Sequence, residues 1–233
     1  MGVSDRHARQ KASLKRQILQ AASRLLVEEG YHAVTMRKLA ARIEYSPTTI
    51  YLYFTDKHEL LAAVCDETFS ELAAKLDRAR QSSNTPLDRL RGALRTYIEF
   101  GLSHPAHYAA TFLDPDASLE PRQPNDVTGK AVLAAITRLV AAGVEQGALR
   151  AGDVELTAQA LWAAIHGVTA LLITQKSIPL GPQKALIERA IATLIAGVQA
   201  PGVSLPPSLV PEPTPVPRPM SRPVPSRDFS FMD

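Results

Sequence analysis

Apolar residues recur at helical spacing from Leu14 to Val198, broken by polar and proline-bearing stretches, so the pattern predicts a succession of helices. Leu14, Ile18, Ala21, Ala22, Leu25 and Leu26 trace a first helix to Glu29, and Gly30 is placed to stop it. Thr35 can cap a short second helix that turns Leu39, Ala40 and Ile43 inward and Arg37, Lys38 and Arg42 outward. Ser46-Pro47 is a helix-start pair: the serine oxygen accepts from open backbone amides, and proline already has helical φ at the first position. Asp56 can cap a fourth helix carrying Leu60, Leu61, Val64, Thr68, Leu72 and Leu76 to about Arg80. Thr85-Pro86 starts another through Leu87, Leu90, Leu94, Tyr97, Ile98 and Leu102, and Pro105 opens a short one through Tyr108 and Phe112. Further helices are predicted from Val127 to Gln146, from Asp153 through Leu172, and after Pro179-Leu180-Gly181-Pro182 to Val198.

The helix from Ser46 to Tyr53 differs from the others. Ile50 and Phe54 anchor one side inward, which leaves Thr48, Thr49, Tyr51, Leu52 and Tyr53 on the other, with hydroxyls, methyls and rings but no charge. Such a face suits a DNA major groove, where threonine methyls meet thymine methyls and hydroxyls reach phosphates or base edges. Two short helices joined by a tight turn make a helix-turn-helix. The stretch resembles the DNA-binding domain of the TetR family of bacterial repressors, through Gly30-Tyr31-His32-Ala33-Val34-Thr35-Met36-Arg37-Lys38-Leu39-Ala40 and Thr49-Ile50-Tyr51-x-Tyr53-Phe54-x-x-Lys57-x-x-Leu60-Leu61. The resemblance implies that Arg37, Pro47, Thr48 and Thr49 meet bases, that Thr35, Tyr51, Tyr53 and Lys57 meet phosphates, and that Ser46 and Leu52 belong to the same surface. At one position the chain departs from the family: Glu44 stands where the turn usually has glycine, at a cost of about 1 kcal/mol if φ is positive there.

Composition adjusts this picture. The 233 residues, 45% of them apolar, can bury sizeable cores. Net charge is only +3, but residues 1 to 60 hold ten Lys/Arg against six Asp/Glu, so the basic excess sits on the helix-turn-helix end, as phosphate binding requires. Residues 1–12, with Arg6, Arg9 and Lys11, read as a flexible arm, either a disordered terminus or a strand of chain touching phosphates or a minor groove. The expected organisation is this arm, a DNA-binding domain over 13–60, a helical ligand-binding and dimerisation domain over 61–199, and a disordered tail over 200–233 that carries ten of the eighteen prolines. The segment from Asp114 to Asn125, with Pro115, Pro121 and Pro124, reads as a mobile loop. No apolar run follows the early basic residues, so no signal peptide is expected; with the single cysteine, Cys65, this fits a cytoplasmic protein. The helix from Asp153 is apolar nearly all round. Its run from Ala158 to Ile173 falls short of the ~20 residues of a membrane span and carries Gln159 and His166, which favours burial between partners.

Leu161-Trp162-Ala163-Ala164-Ile165-His166-Gly167 is similar to the Trp-His-Gly signature of one class of TetR C-terminal ligand-binding domains. Trp162 reads as core or as ligand wall, and His166 as a satisfied interior histidine or a ligand-contacting polar group. Tyr97, Phe100, Tyr108, Phe112, Trp162 and His166 lie on separate predicted helices; if they converge, they line a mostly apolar cavity for an apolar or aromatic effector, no cationic cluster being evident to meet phosphate. The family resemblance implies that the last two helices pair with those of a second subunit, and Ile191 and Leu194 are the expected interface positions. Catalytic or metal chemistry has little to stand on. His104 and His107 lack a third ligand, Cys65 has no histidine partner, and Asp114 and Asp116 have no partner base. The expectation is an all-α, non-enzymatic homodimeric transcriptional repressor without cofactors or membrane association, which binds a palindromic operator and is released by a small molecule. The alternatives are a sequence-tolerant architectural DNA binder, and a small-molecule-binding protein or enzyme that keeps the helix-turn-helix as a scaffold.

Overall fold

The computed structural model describes residues 3–82, 85–113, 127–175 and 177–203. The expected loop over 114–125, its acidic pair, and nearly all of the proline-rich tail lie outside them. Nine α-helices appear among the described residues: α1 (Val3–Glu29), α2 (Met36–Arg42), α3 (Pro47–Tyr51), α4 (Lys57–Ser82), α5 (Pro86–Ser103), α6 (Pro105–Phe112), α7 (Val127–Glu145), α8 (Val154–Thr174) and α9 (Gln183–Val198), with one 3-10 turn at Tyr31–Ala33.

Most helix starts lie where the capping residues put them. Thr35 Oγ1 accepts from Lys38 N at 3.2 Å, Ser46 Oγ from Thr49 N at 3.2 Å, Asp56 Oδ1 from Glu59 N at 2.8 Å, Thr85 Oγ1 from Asp88 N at 3.1 Å and Asp153 Oδ1 from Leu156 N at 2.9 Å. α1 differs from expectation at its start. Residues 3–12, read as a flexible arm, continue the helix, because they contain no breaker after Gly2 and their alanines, arginines, lysine and glutamine are good helix formers. This extension of nearly three turns is exposed throughout its described side chains, so propensity and not packing holds it.

α1, α2 and α3 bury Ile18, Leu25, Leu26, Leu39 and Ile50 in a small core that α4 joins through Leu60 and Leu61. From there α4 runs on into the second body, where it packs on α5, α6 and α7. α8 packs on α5 and α7 through Ala158, Leu161, Ile165 and Thr169. One close approach is specific: a Cβ on Gly101 of α5 would stand 2.4 Å from Thr169 Cγ2, so the glycine sets how near α8 can lie. α8 has 21 residues at a mean hydropathy of 1.6, long and apolar enough to cross a membrane by composition alone. In this fold its inner side is covered by α5 and α7, while Leu156, Ala160, Ala163 and Leu171 are uncovered.

α9 lies against α5 and α8, and Ile187, Ile191 and Ile195 point into the chain's own core. Ile191 is fully buried within one protomer, so it cannot be an interface residue as expected; the wide stripe of this helix divides into an inner isoleucine row and an outer row of smaller residues. Beyond α9 the chain is pinned by an antiparallel bridge between Leu149 and Gln199, with Arg150 N donating to Val198 O at 2.9 Å.

Candidate DNA-reading surface and effector cluster

The turn between α2 and α3 forms a Schellman arrangement, in which Tyr45 N donates to Ala40 O at 3.0 Å and Glu44 N to Ala41 O at 3.3 Å. That closure needs a left-handed residue, and Glu44 supplies it with φ 60°. Here the chain carries the strain expected of a non-glycine residue. α3 then projects Pro47, Thr48, Tyr51 and Leu52 into solvent, Leu52 at 75% exposure and Tyr51 at 53%. An isolated protein rarely leaves such residues clustered and uncovered unless the surface meets something.

Not every expected residue is equally presented. Ser46 and Thr49 pair their hydroxyls at 2.9 Å, and Thr49 and Tyr53 are half-buried, Tyr53 against the core. The α2 cations separate in a way that spacing alone does not reveal. Lys38 is paired with Glu29 and Arg42 with Glu28, both on α1, whereas Arg37 is exposed with no ionic partner among the described residues. Lys57 folds back, its ammonium 4.1 Å from the Tyr31 ring centroid and 3.5 Å from Tyr31 O, so the first turn of α4 is held to the 3-10 turn. Tyr31 also pairs its hydroxyl with His58 Nδ1 at 2.9 Å. Tyr45, 44% exposed in the turn beside α3, was missed; an aromatic next to a helix-start serine was the available signal.

In the second body five of the six side chains proposed from sequence meet directly. Tyr97 and Tyr108 bring their hydroxyls within 3.2 Å of each other, and both approach His166 Nδ1, at 3.2 Å and 2.6 Å. Phe112 packs edge-on to His166 at 5.0 Å and to Trp162 at 6.5 Å between centroids. Phe100 joins only through Phe69, 5.8 Å away, and is itself stacked on His104 at 4.2 Å. Phe69, which the reading of α4 passed over, is the hub: its ring also meets Phe112 at 5.2 Å and Tyr108 at 6.3 Å. The six therefore form a packed aromatic core with a polar centre. Tyr97 and Tyr108 are buried, while Phe112, Trp162 and His166 form its half-buried edge. Burial pushes the Tyr97 hydroxyl up to about 12, against the opposing hydrogen bond from Tyr108, and raises Tyr108 further still. Burial pushes His166 below the ordinary histidine value.

Two groupings were not foreseen. Arg91 and Arg95 of α5 both bind Glu188 of α9, at 3.0 Å and 2.7 Å, so two guanidiniums share one carboxylate where no cationic cluster was expected. An open groove of about 350 Å³ lies between the outer sides of α8 and α9, lined by Leu156, Ala160, Thr193, Leu194 and Gly197 among others. No group of three metal-ligating side chains occurs among the described residues. Cys65 is a buried free thiol.

A helix-turn-helix whose following helix runs on into a larger helical body with an aromatic centre is the architecture of a DNA-binding regulator. Residues 18–64 match the model of bacterial regulatory proteins of the tetR family, and residues 90–194 match that of a tetracyclin repressor-like C-terminal domain. The chain belongs to the TetR family, and its relatives are transcriptional regulators rather than enzymes. It is 26% identical to the fatty acid metabolism regulator protein of Bacillus subtilis over 195 residues, 82% of this chain and 98% of that one. It is 37% identical to the transcriptional repressor KstR of Mycolicibacterium smegmatis over 76 residues, 33% of this chain and 37% of that one. In fold it is similar to the regulator FadR of Bacillus subtilis in complex with stearoyl-CoA, with a TM-score of 0.62 at 22% identity over 78% of this chain and 98% of that one.

Proposed function

We propose that this TetR-family regulator is a cytoplasmic repressor that binds a near-palindromic operator as a homodimer and is released by an apolar or aromatic small molecule held by the C-terminal body. The observation that carries the reading is the uncovered, uncharged face of α3 beside a free Arg37. Arg37, Pro47, Thr48 and Thr49 meet bases, and Thr35, Tyr51, Tyr53 and Lys57 meet backbone phosphates. Two identical readers imply a two-fold operator. The uncovered sides of α8 and α9 support self-association, because Leu156, 62% exposed, lines a groove that a second copy would fill, and Leu171, 46% exposed, extends the uncovered apolar side of α8.

The effector site is the aromatic cluster around His166. Similarity to a fatty acid metabolism regulator supports an extended apolar effector, and the similar fold that holds stearoyl-CoA agrees with it. Release follows if the effector binds more tightly to a reader spacing that no longer fits the operator, with α4 as the connector. Selection of bound duplexes from a random library tests the reading: a two-fold consensus should emerge and be protected in footprinting. Uniform recovery of sequences would favour an architectural DNA binder, and no duplex affinity even at low salt would leave the motif as a scaffold.

A further inference from the structure

The polar centre of the aromatic cluster has more donors than it uses, and the surplus specifies what an effector must carry. Tyr97 and Tyr108 are buried phenols that stay protonated, so both hydroxyls are donors. A phenol donates strongly and accepts weakly, whereas a neutral imidazole nitrogen is a strong acceptor. The Tyr108 and Tyr97 hydroxyls lie 2.6 and 3.2 Å from His166 Nδ1, so Nδ1 accepts from one of the two phenols, and the other donates to its neighbour's oxygen across the 3.2 Å between them. Once Nδ1 accepts, the single proton of the neutral ring sits on Nε2. Among the described residues no hydrogen bond satisfies that Nε2–H. One turn earlier on α8, the Trp162 indole nitrogen is buried. It lies near enough to the Tyr97 oxygen to lower that hydroxyl's pKa, yet its geometry closes no hydrogen bond among the described residues. The two rings are 5.9 Å apart, with Phe112 packed against both.

We propose that Trp162 Nε1–H and His166 Nε2–H form a paired donor site for an acceptor oxygen of an otherwise apolar effector, of the carbonyl or carboxylate type. This rests on the assignment of the cluster as the effector site and goes beyond it by stating which polar group the effector bears. The buried Trp162 donor, left unmatched, penalises an analogue that lacks the acceptor, so the site discriminates a ketone from the hydrocarbon of the same shape. An alcohol fits less well than a carbonyl, because its own proton would face two further donors.

Calorimetric titration of the full chain with 2-undecanone and with its hydrocarbon isostere 2-methylundecane tests the inference, alongside the aromatic pair 2-acetylnaphthalene and 2-isopropylnaphthalene. In at least one pair the ketone should bind about tenfold more tightly, and the preference should collapse in Trp162→Phe and in His166→Phe. Undecanoate added as a third aliphatic probe separates the sources: tighter binding than the ketone, lost in the same variants, assigns the oxygen to a carboxylate and supports the site. Nitrogen NMR of histidine-labelled protein, with the His166 signal assigned from His166→Gln, provides a measurement independent of the variants' folding and should show the proton on Nε2. A proton on Nδ1, or ketone and isostere bound equally well, overturns the donor site while leaving the cluster as an effector pocket. Binding of none of the five probes overturns both.

Discussion

At the scale of single residues, partners decide which of several similar side chains is free to act. Arg37, Lys38 and Arg42 all face outward on α2, yet Glu29 and Glu28 engage two of them and leave Arg37. We predict that Arg37→Ala relaxes base preference and costs about 1 to 3 kcal/mol of operator binding, while Lys57→Ala weakens all duplexes alike and lowers the salt slope by about one. Selections repeated with each variant would show it; an unchanged consensus with Arg37→Ala removes that residue from base reading. His107 shows the same dependence on surroundings. It is 4% exposed, its Nε2 pairs with Ser23 Oγ of α1 at 2.9 Å, and burial, with the nearby His104 adding to it, holds its pKa below 6.5. The unfolded chain then binds the proton first, so stability is complete above pH 6.5 and is lost as pH falls toward the lowered folded value. His166 shifts in the same direction. Urea unfolding between pH 7.5 and 5 should show a decline that His107→Gln reduces but does not abolish; equal slopes in the two proteins would exclude His107 as a contributor.

At the scale of elements, the caps and stops were legible because they act locally. Thr35, Ser46, Asp56, Thr85 and Asp153 each bond the amide three residues on, and no distant part of the chain changes that. Glu44 was legible for the same reason: the turn between α2 and α3 requires a left-handed residue whatever its identity, and φ is 60° there. Glu44→Gly should therefore stabilise the chain by up to about 1 kcal/mol, since the strain removed exceeds the entropy that glycine adds to the unfolded state. Thermal melts would detect the rise. A fall in melting temperature would mean that the Glu44 side chain contributes more than its backbone costs. The start of α1 was not legible, because a polar, basic segment without an apolar stripe looks the same as a helix or as a loose arm when only periodicity is read.

At the scale of the whole molecule, the unanswered face is the outer side of α8 and α9. Leu156→Glu with Leu171→Glu should fold normally, both positions being exposed, yet sediment as a monomer and bind operator far more weakly. Ile191→Glu, by contrast, places a charge in the protomer's own core and should fail to fold. A double variant that still sediments as a dimer would place the interface elsewhere. What the sequence determined by itself was whatever depends on neighbours a few residues apart: the helices, their caps, the uncharged outer face of α3 and the family to which the chain belongs. Only the tertiary structure decided which face of α9 turns inward, because a wide apolar stripe is compatible with a core, an interface or both. It also decided that Phe69 joins Phe100 to the other aromatics, that Arg91 and Arg95 converge on Glu188, and that the Tyr108 hydroxyl lies 2.6 Å from His166 Nδ1. Each of these joins residues far apart along the chain or on different helices, and helical periodicity fixes directions within one helix but not the rotation of one helix against the next.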